Sequence, residues 1–284
     1  MPRTGGESLN RLALVATLAL GSTALAQEAG GYSAGPGLGA PDYQTTVNAP
    51  RPVKSPVYTQ DRVFGVSRFW KLDPGRYELE VWWDERFNRD APNEALLKFE
   101  IEIGLTPHIQ LDIYQNFIIT NGQFDVEGNQ IEVRYAFAAN YNEISWNPVL
   151  YIEWHPRKQA QDRAELRLLV GGDLPAAGIW AANVFAEGNV NYFNASFAEG
   201  FDGEFGVSAS ASYPVAGDWL RLGAEIQGGV DQHGSPRFYA SGLLGPNVLL
   251  TYRPARLKLT ATAMFGLFHE DPLVRLFVIA GWQF

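Results

Sequence analysis

The sequence contains no cysteine, which excludes disulfide-stapled scaffolds, thiol catalysis, cysteine-ligated metals and lipid attachment at an N-terminal Cys. It is short of base: 22 Lys and Arg stand against 31 Asp and Glu, a formal charge of −9, whereas a nucleic-acid partner needs a basic face. It lacks an apolar run of the ~20 residues that a membrane-spanning helix requires, and no stretch beyond the N-terminus keeps a clear 3.6-residue period. Histidine is scarce, with His108, His155, His233 and His269 making up all four. No two of them share a metal-ligand spacing, so neither metal nor cofactor is expected. Aromatic and apolar residues are plentiful, 13% and 46% of 284, a density foreign to disordered chains.

The N-terminus reads as an export signal. Arg3 and Arg11 precede the apolar run Leu12 to Leu20, and Ala24-Leu25-Ala26 gives a small-x-small cleavage site at Ala24 and Ala26. Removing residues 1–26 takes away Arg3, Arg11 and Glu7 and leaves a formal charge of −10. Gly and Pro dominate the stretch from Glu28 to about Pro56, so residues 27–72 are expected to form a flexible leader. A plug lying in a lumen is its alternative reading. Residues 73–284 form the third region.

From Arg76 onward the chain alternates. Tyr77, Leu79, Val81 and Trp83 share one parity, with Glu78, Glu80 and Asp84 on the other. Leu97, Phe99, Ile101 and Ile103 alternate with Lys98, Glu100 and Glu102. The same period returns around Asp112, Glu132, Arg134, Glu153, Arg167, Arg221, Glu225 and Lys258. A period of two places apolar groups on one face of a strand and charges on the other. A soluble sandwich would hide the apolar face in a core, and a membrane barrel would turn it toward lipid.

Three features favour the barrel. The strands can be drawn at roughly 8–13 residues, enough to cross a bilayer at a tilt, whereas globular strands centre on ~5–6. Aromatics gather near strand ends, among them Trp70, Tyr77, Trp82, Trp83, Trp146, Tyr151, Trp154, Trp180, Tyr213, Trp219, Tyr252 and Trp282, as interfacial belts require. Connections alternate in length: Leu105–Pro107, Pro214–Asp218 and Pro254-Ala255 are tight turns, whereas Phe117–Asn129, Pro156–Asp162, Asn189–Asp202 and Val230–Gly245 are longer polar links. The expected fold is therefore an all-β, antiparallel, up-and-down transmembrane barrel of about 12 strands, with short periplasmic turns and longer outer loops.

The chain ends on Leu276, Val278, Ala280, Trp282 and Phe284 in one parity. This resembles the C-terminal signature by which the barrel-assembly machinery of bacteria recognises outer-membrane barrels, with Trp282 and Phe284 as the insertion signal. Residues 70–284 also resemble the family of small outer-membrane barrels named for the meta-pathway of phenol degradation. The segments that carry the likeness are Glu100 to Thr106, Asn147 to Trp154, and Leu244-Gly245-Pro246. The resemblance implies an outer-membrane location, lipid as a partner, and passage of small solutes, apolar or aromatic compounds among them. It supplies no catalytic motif.

If the apolar parity faces lipid, the lumen receives Glu78, Glu80, Glu100, Glu102, Asp112, Glu132, Arg134, Glu153, Glu165, Arg167, Arg221, Glu225, Lys258 and Arg275. Acids crowd the first strands and bases the later ones, so closure should bring Lys258 and Arg275 near the Glu78 and Glu80 rows. The set reads either as an ion-pair lattice bracing the wall or as a pore biased toward cations. Ser208, Ser210 and Ser212 form a small-residue strip along which an open path would run most easily. Rival functions are a lipid-modifying hydrolase built on His233 and Ser235, and a structural or surface-interaction barrel with a closed lumen. His233 and Ser235 sit in a polar loop with no orienting third group, so an enzyme is not expected.

Overall fold

The computed structural model describes residues 55–67, 69–157, 161–190, 203–232 and 239–284. The expected signal peptide, its cleavage site and the leader as far as residue 54 lie outside them, as do His233 and Ser235.

Among the described residues twelve strands follow one another without an intervening α-helix: β1 (Tyr77–Phe87), β2 (Glu94–Gly104), β3 (Ile109–Thr120), β4 (Gln123–Ala136), β5 (Val149–His155), β6 (Asp162–Leu174), β7 (Gly178–Val190), β8 (Gly203–Ala216), β9 (Leu220–Gln232), β10 (Tyr239–Tyr252), β11 (Leu257–Gly266) and β12 (Val274–Gln283). Each pairs antiparallel with its sequence neighbours, and β12 returns to β1, setting Leu79 against Trp282 and Phe87 against Val274. The sheet is thus a closed 12-stranded meander, and closure leaves no unpaired edge.

Burial is inverted relative to a soluble protein. Glu78 and Asp112 are fully buried, while Phe99 is 46% and Val184 60% exposed. Apolar side chains on the outward parity of nearly every strand are left uncovered by the barrel itself, the pattern of barrels that turn an apolar band outward. Tyr77, Trp146, Tyr213, Trp219, Tyr252 and Trp282 stand exposed around the end where β1 begins and β12 finishes. We call this the terminal mouth, the side that barrels of this kind turn to the periplasm. Three aromatics expected in the belts are elsewhere: Trp82 and Tyr151 point inward and Trp70 lies inside the barrel, all buried. Their parity, even in β1 and odd in β5, is the inward one.

The loop pattern departs from expectation in three places. The Phe117–Asn129 link is the tip of a β3–β4 hairpin, turned by Asn121 and Gly122, both at positive φ (53° and 73°). A bulge near Asn116/Phe117 resets the register there, which breaks the period of two and disguises the strands as polar loop. At the terminal mouth the β4–β5 connection, residues 137–148, is long instead of short. The Val230–Gly245 link shrinks to residues 233–238, because β9 and β10 extend into it. Two positive φ angles make the hairpin turn a primed type, for which glycine is the ordinary second residue. Gly122→Val should cost roughly 1–2 kcal/mol through forced left-handed backbone, read as a lower urea midpoint in detergent with the barrel retained.

Candidate functional site

Antiparallel register places acids directly opposite one another on the inner wall. Glu78 faces Glu102, Glu80 faces Glu100, Glu102 faces Asp112, and Asp112 faces Glu132. Like charges at cross-strand positions repel, so this patch stands only if cations are brought to it. Two come from the wall. Lys258 on β11 reaches Glu78 at 2.5 Å and Glu80 at 3.5 Å across the closure. Arg134 on β4 holds Glu132 at 2.5 Å, Asp112 at 3.1 Å and Glu102 at 3.5 Å. The third is Arg62, which lies before the first strand. Its Nε donates to Glu80, and its Nη2 donates to Glu102 at 2.7 Å and Glu100 at 3.4 Å. The guanidinium carbon sits 4.2 Å from the centre of the Trp82 ring, whose indole N–H donates to Glu100 at 2.8 Å and Glu80 at 3.1 Å.

Arg62 is there because the segment 55–72 occupies the barrel. It starts near the terminal mouth, where a 3-10 turn, Val57–Gln60, precedes Asp61, which is clamped by Arg253 at 2.7 and 3.0 Å. Val63 O accepts from Asn247. At the innermost point the backbone N–H groups of Gly65, Val66 and Ser67 donate to the Glu225 carboxylate at 2.8, 2.8 and 3.2 Å, and Thr262 donates to it as well. The chain then returns: Trp70 O accepts from Arg134, and Leu72 N–H donates to Gln110. Glycine suits position 65, where an added Cβ would press against Thr262 and Phe277. The described residues of this stretch, 55–67 and 69–72, thus form a folded re-entrant plug, the alternative reading of the leader.

The plug is two-sided and so is the wall. Val63, Phe64, Phe69 and Trp70 pack with Val149, Tyr151, Leu169, Ile179, Ala181 and Leu249, all buried. Those inward apolar side chains on β5–β7 and β10 would be misplaced in a water-filled pore, and the plug covers them. Arg62 and its neighbours face the acidic strands. A cavity of about 30 Å³ remains beside Arg62, Gln60, Lys71 and Lys258, room for one or two waters. The serine strip is filled too, since Ser67 Oγ contacts Ser210 at 2.6 Å and Ser208 at 3.2 Å. Burial and then the hydrogen bond to Asp173 push the Tyr58 hydroxyl up to about 12, so it stays a donor at any physiological pH.

The half of the lumen beyond the plug carries the remaining expected residues except Arg221. Arg275 clamps Asp84 at 2.7 and 2.9 Å instead of joining Glu78 and Glu80, because its register partner is Arg86, well along β1. Arg167 pairs with Glu165 and lies over the rings of Tyr151 and Phe185 at 5.4 and 4.9 Å. Tyr151 also donates to Glu153, and Arg163 meets Glu187 at 2.8 Å. Arg221 sits at the terminal mouth, donating to the carbonyls of Ala177 and Ser212. Sequence reasoning brought the wall residues together correctly for Lys258 and missed Arg62, Trp82 and the three plug N–H groups. The one available signal was the rise in aromatic and apolar content after Pro56: Tyr58, Phe64, Phe69 and Trp70 are too many for a tether.

Carboxylate oxygens of Glu78, Glu80 and Glu102, and of Glu100, Glu102 and Asp112, converge within 4.8 Å, but their partners are Arg62, Arg134 and Lys258. No family model matches the sequence, and no curated protein matches it. Among solved structures the chain is similar to the NanC porin, at 10% identity and a TM-score of 0.52 over 72% of this chain and 97% of that one. It is also similar to an outer-membrane channel from Pseudomonas putida F1, at 12% identity and a TM-score of 0.54 over 76% and 98%. The fold is that of outer-membrane β-barrels. On β1 to β4 the charged parity is the buried one, the reverse of a soluble sandwich.

Proposed function

We propose that this barrel is a passive outer-membrane route for small solutes, closed at its terminal half by the segment 55–72. The observation that carries the reading is the pairing of an apolar outer face with a charge-lined interior that a short, separable segment fills. A wall meant only to be solid could be packed from its own side chains, as in eight-stranded barrels. Likeness to two channels of the same fold supports it. The apolar or aromatic solutes implied by the phenol meta-pathway resemblance would meet Arg167 and Arg275 beyond the plug, each lying over a buried ring, Tyr151 and Phe185 for the first and Phe277 for the second. That setting favours an aromatic solute carrying charge over a hydrocarbon. The second reading, a closed structural barrel, is favoured by the plug itself.

Liposome swelling with the full-length protein separates the two, comparing a sugar, an organic cation and an aromatic acid. A channel should pass at least one of them faster than protein-free liposomes. Protein that is folded by its heat-shifted gel mobility yet passes none would leave the structural barrel standing.

A further inference from the structure

The cradle around Arg62 has every part of a guanidinium-binding site, and all of it except the cation belongs to the rigid wall. Glu80 is on β1 and Glu100 and Glu102 are on β2, and the register of those strands fixes their spacing. Trp82, also on β1, offers its ring face to the guanidinium and its N–H to two of the carboxylates. Withdrawing the plug would remove Arg62 and leave Glu78, Glu80, Glu100, Glu102, Asp112 and Glu132 with Lys258 and Arg134 as their close wall cations. The strands cannot close over the gap, so the emptied cradle calls for another cation. A planar donor fork matches carboxylates on two sides and stacks on an indole, which a compact ammonium does less well. A hard metal ion gains nothing from the ring and wants six or more oxygens.

We propose that Glu80, Glu100, Glu102 and Trp82 form a binding site for small guanidinium-bearing cations, that Arg62 occupies it as a tethered stand-in, and that such cations in solution compete with the plug. The inference rests on the channel reading for the route of entry, but the binding itself can be measured in detergent without a membrane. Tethering gives Arg62 an effective concentration in the millimolar range, so competition should appear at roughly 1–50 mM cation.

The chain is free of cysteine, so Ser67→Cys supplies a single thiol at a buried plug position. Its labelling by a maleimide should accelerate about fivefold and saturably with methylguanidinium chloride over the range expected for a tethered competitor. Sodium chloride at equal concentration should leave it unchanged. In the same background Glu100→Gln with Glu102→Gln should abolish the response. Independently, Arg62→Ala should bind methylguanidinium at least about tenfold more tightly than the unaltered protein by titration calorimetry, for want of the tethered competitor. An equal acceleration by sodium would reduce the effect to charge screening and overturn the proposal, as would equal affinities with and without Arg62. Should Arg62→Ala fail to fold, the labelling response decides alone. Protein that binds methylguanidinium but passes no solute overturns only the channel reading; protein that passes solutes without these responses overturns only this inference.

Discussion

Glu225→Ala should free the plug from the lumen while the barrel stays closed. The Glu225 carboxylate is the common acceptor for the N–H groups of Gly65, Val66 and Ser67 and the hydroxyl of Thr262. Three successive backbone donors converging on one anion are hard to satisfy otherwise, since no strand pairs with the plug at that point. Orphaning a buried donor costs ~1–3 kcal/mol, and water entering the vacated space recovers part of it, so a net loss of roughly 2–5 kcal/mol is expected. At ~1.4 kcal/mol per decade, even the low end raises the released fraction about thirtyfold. The barrel should survive because β9 keeps its ladders to β8 and β10. Limited proteolysis of the folded, detergent-solubilised protein reads the outcome: cleavage within residues 55–67 should accelerate by at least that factor, and solute flux through liposomes should rise with it. Glu225→Gln should fall between, because an amide offers one acceptor oxygen and turns two donors toward donors. Unchanged cleavage in Glu225→Ala would show that the plug is held without this anchor.

Which features could be read from residues follows from how far apart the interacting groups lie in the chain. The β1 and β2 alternation was legible because each strand meets lipid on one side and polar partners on the other, a local pattern of period two. The opposition of Lys258 to Glu78 was legible as well, since a meander that closes must bring its last strands to its first. The anchors of the plug were not, because they are remote: Gly65 to Glu225 spans 160 residues and Gln60 to Lys258 spans 198. Nothing near position 65 announces a carboxylate partner. The plug also hides part of the wall, because the inward positions of β7 and β10 that meet it, Ile179, Ala181 and Leu249, are apolar. Those strands therefore lose the alternation that marks the others.

Arg134→Leu should be among the most destabilising single changes available to the wall. Arg134 is 4% exposed and stands against three carboxylates that face one another on consecutive strands, Glu102, Asp112 and Glu132. Its Nη1 also donates to Trp70 O, so it ties wall and plug together. Leucine fills much of the volume but supplies no charge, and removing one partner of a buried ion pair costs ~3–5 kcal/mol because the other charge is left stranded. Tyr114 still donates to Glu132 and Gln110 to Asp112, which moderates the loss without neutralising either acid. Urea unfolding in detergent, followed by tryptophan fluorescence, should show a clearly lowered midpoint. If the cause is the stranded charge, adding Asp112→Asn to Arg134→Leu should restore part of the midpoint, whereas Asp112→Asn alone should lower it. If the double variant is instead as unstable as the sum of the singles, Arg134 acts through packing and the plug contact, and the acidic patch tolerates its own repulsion without it.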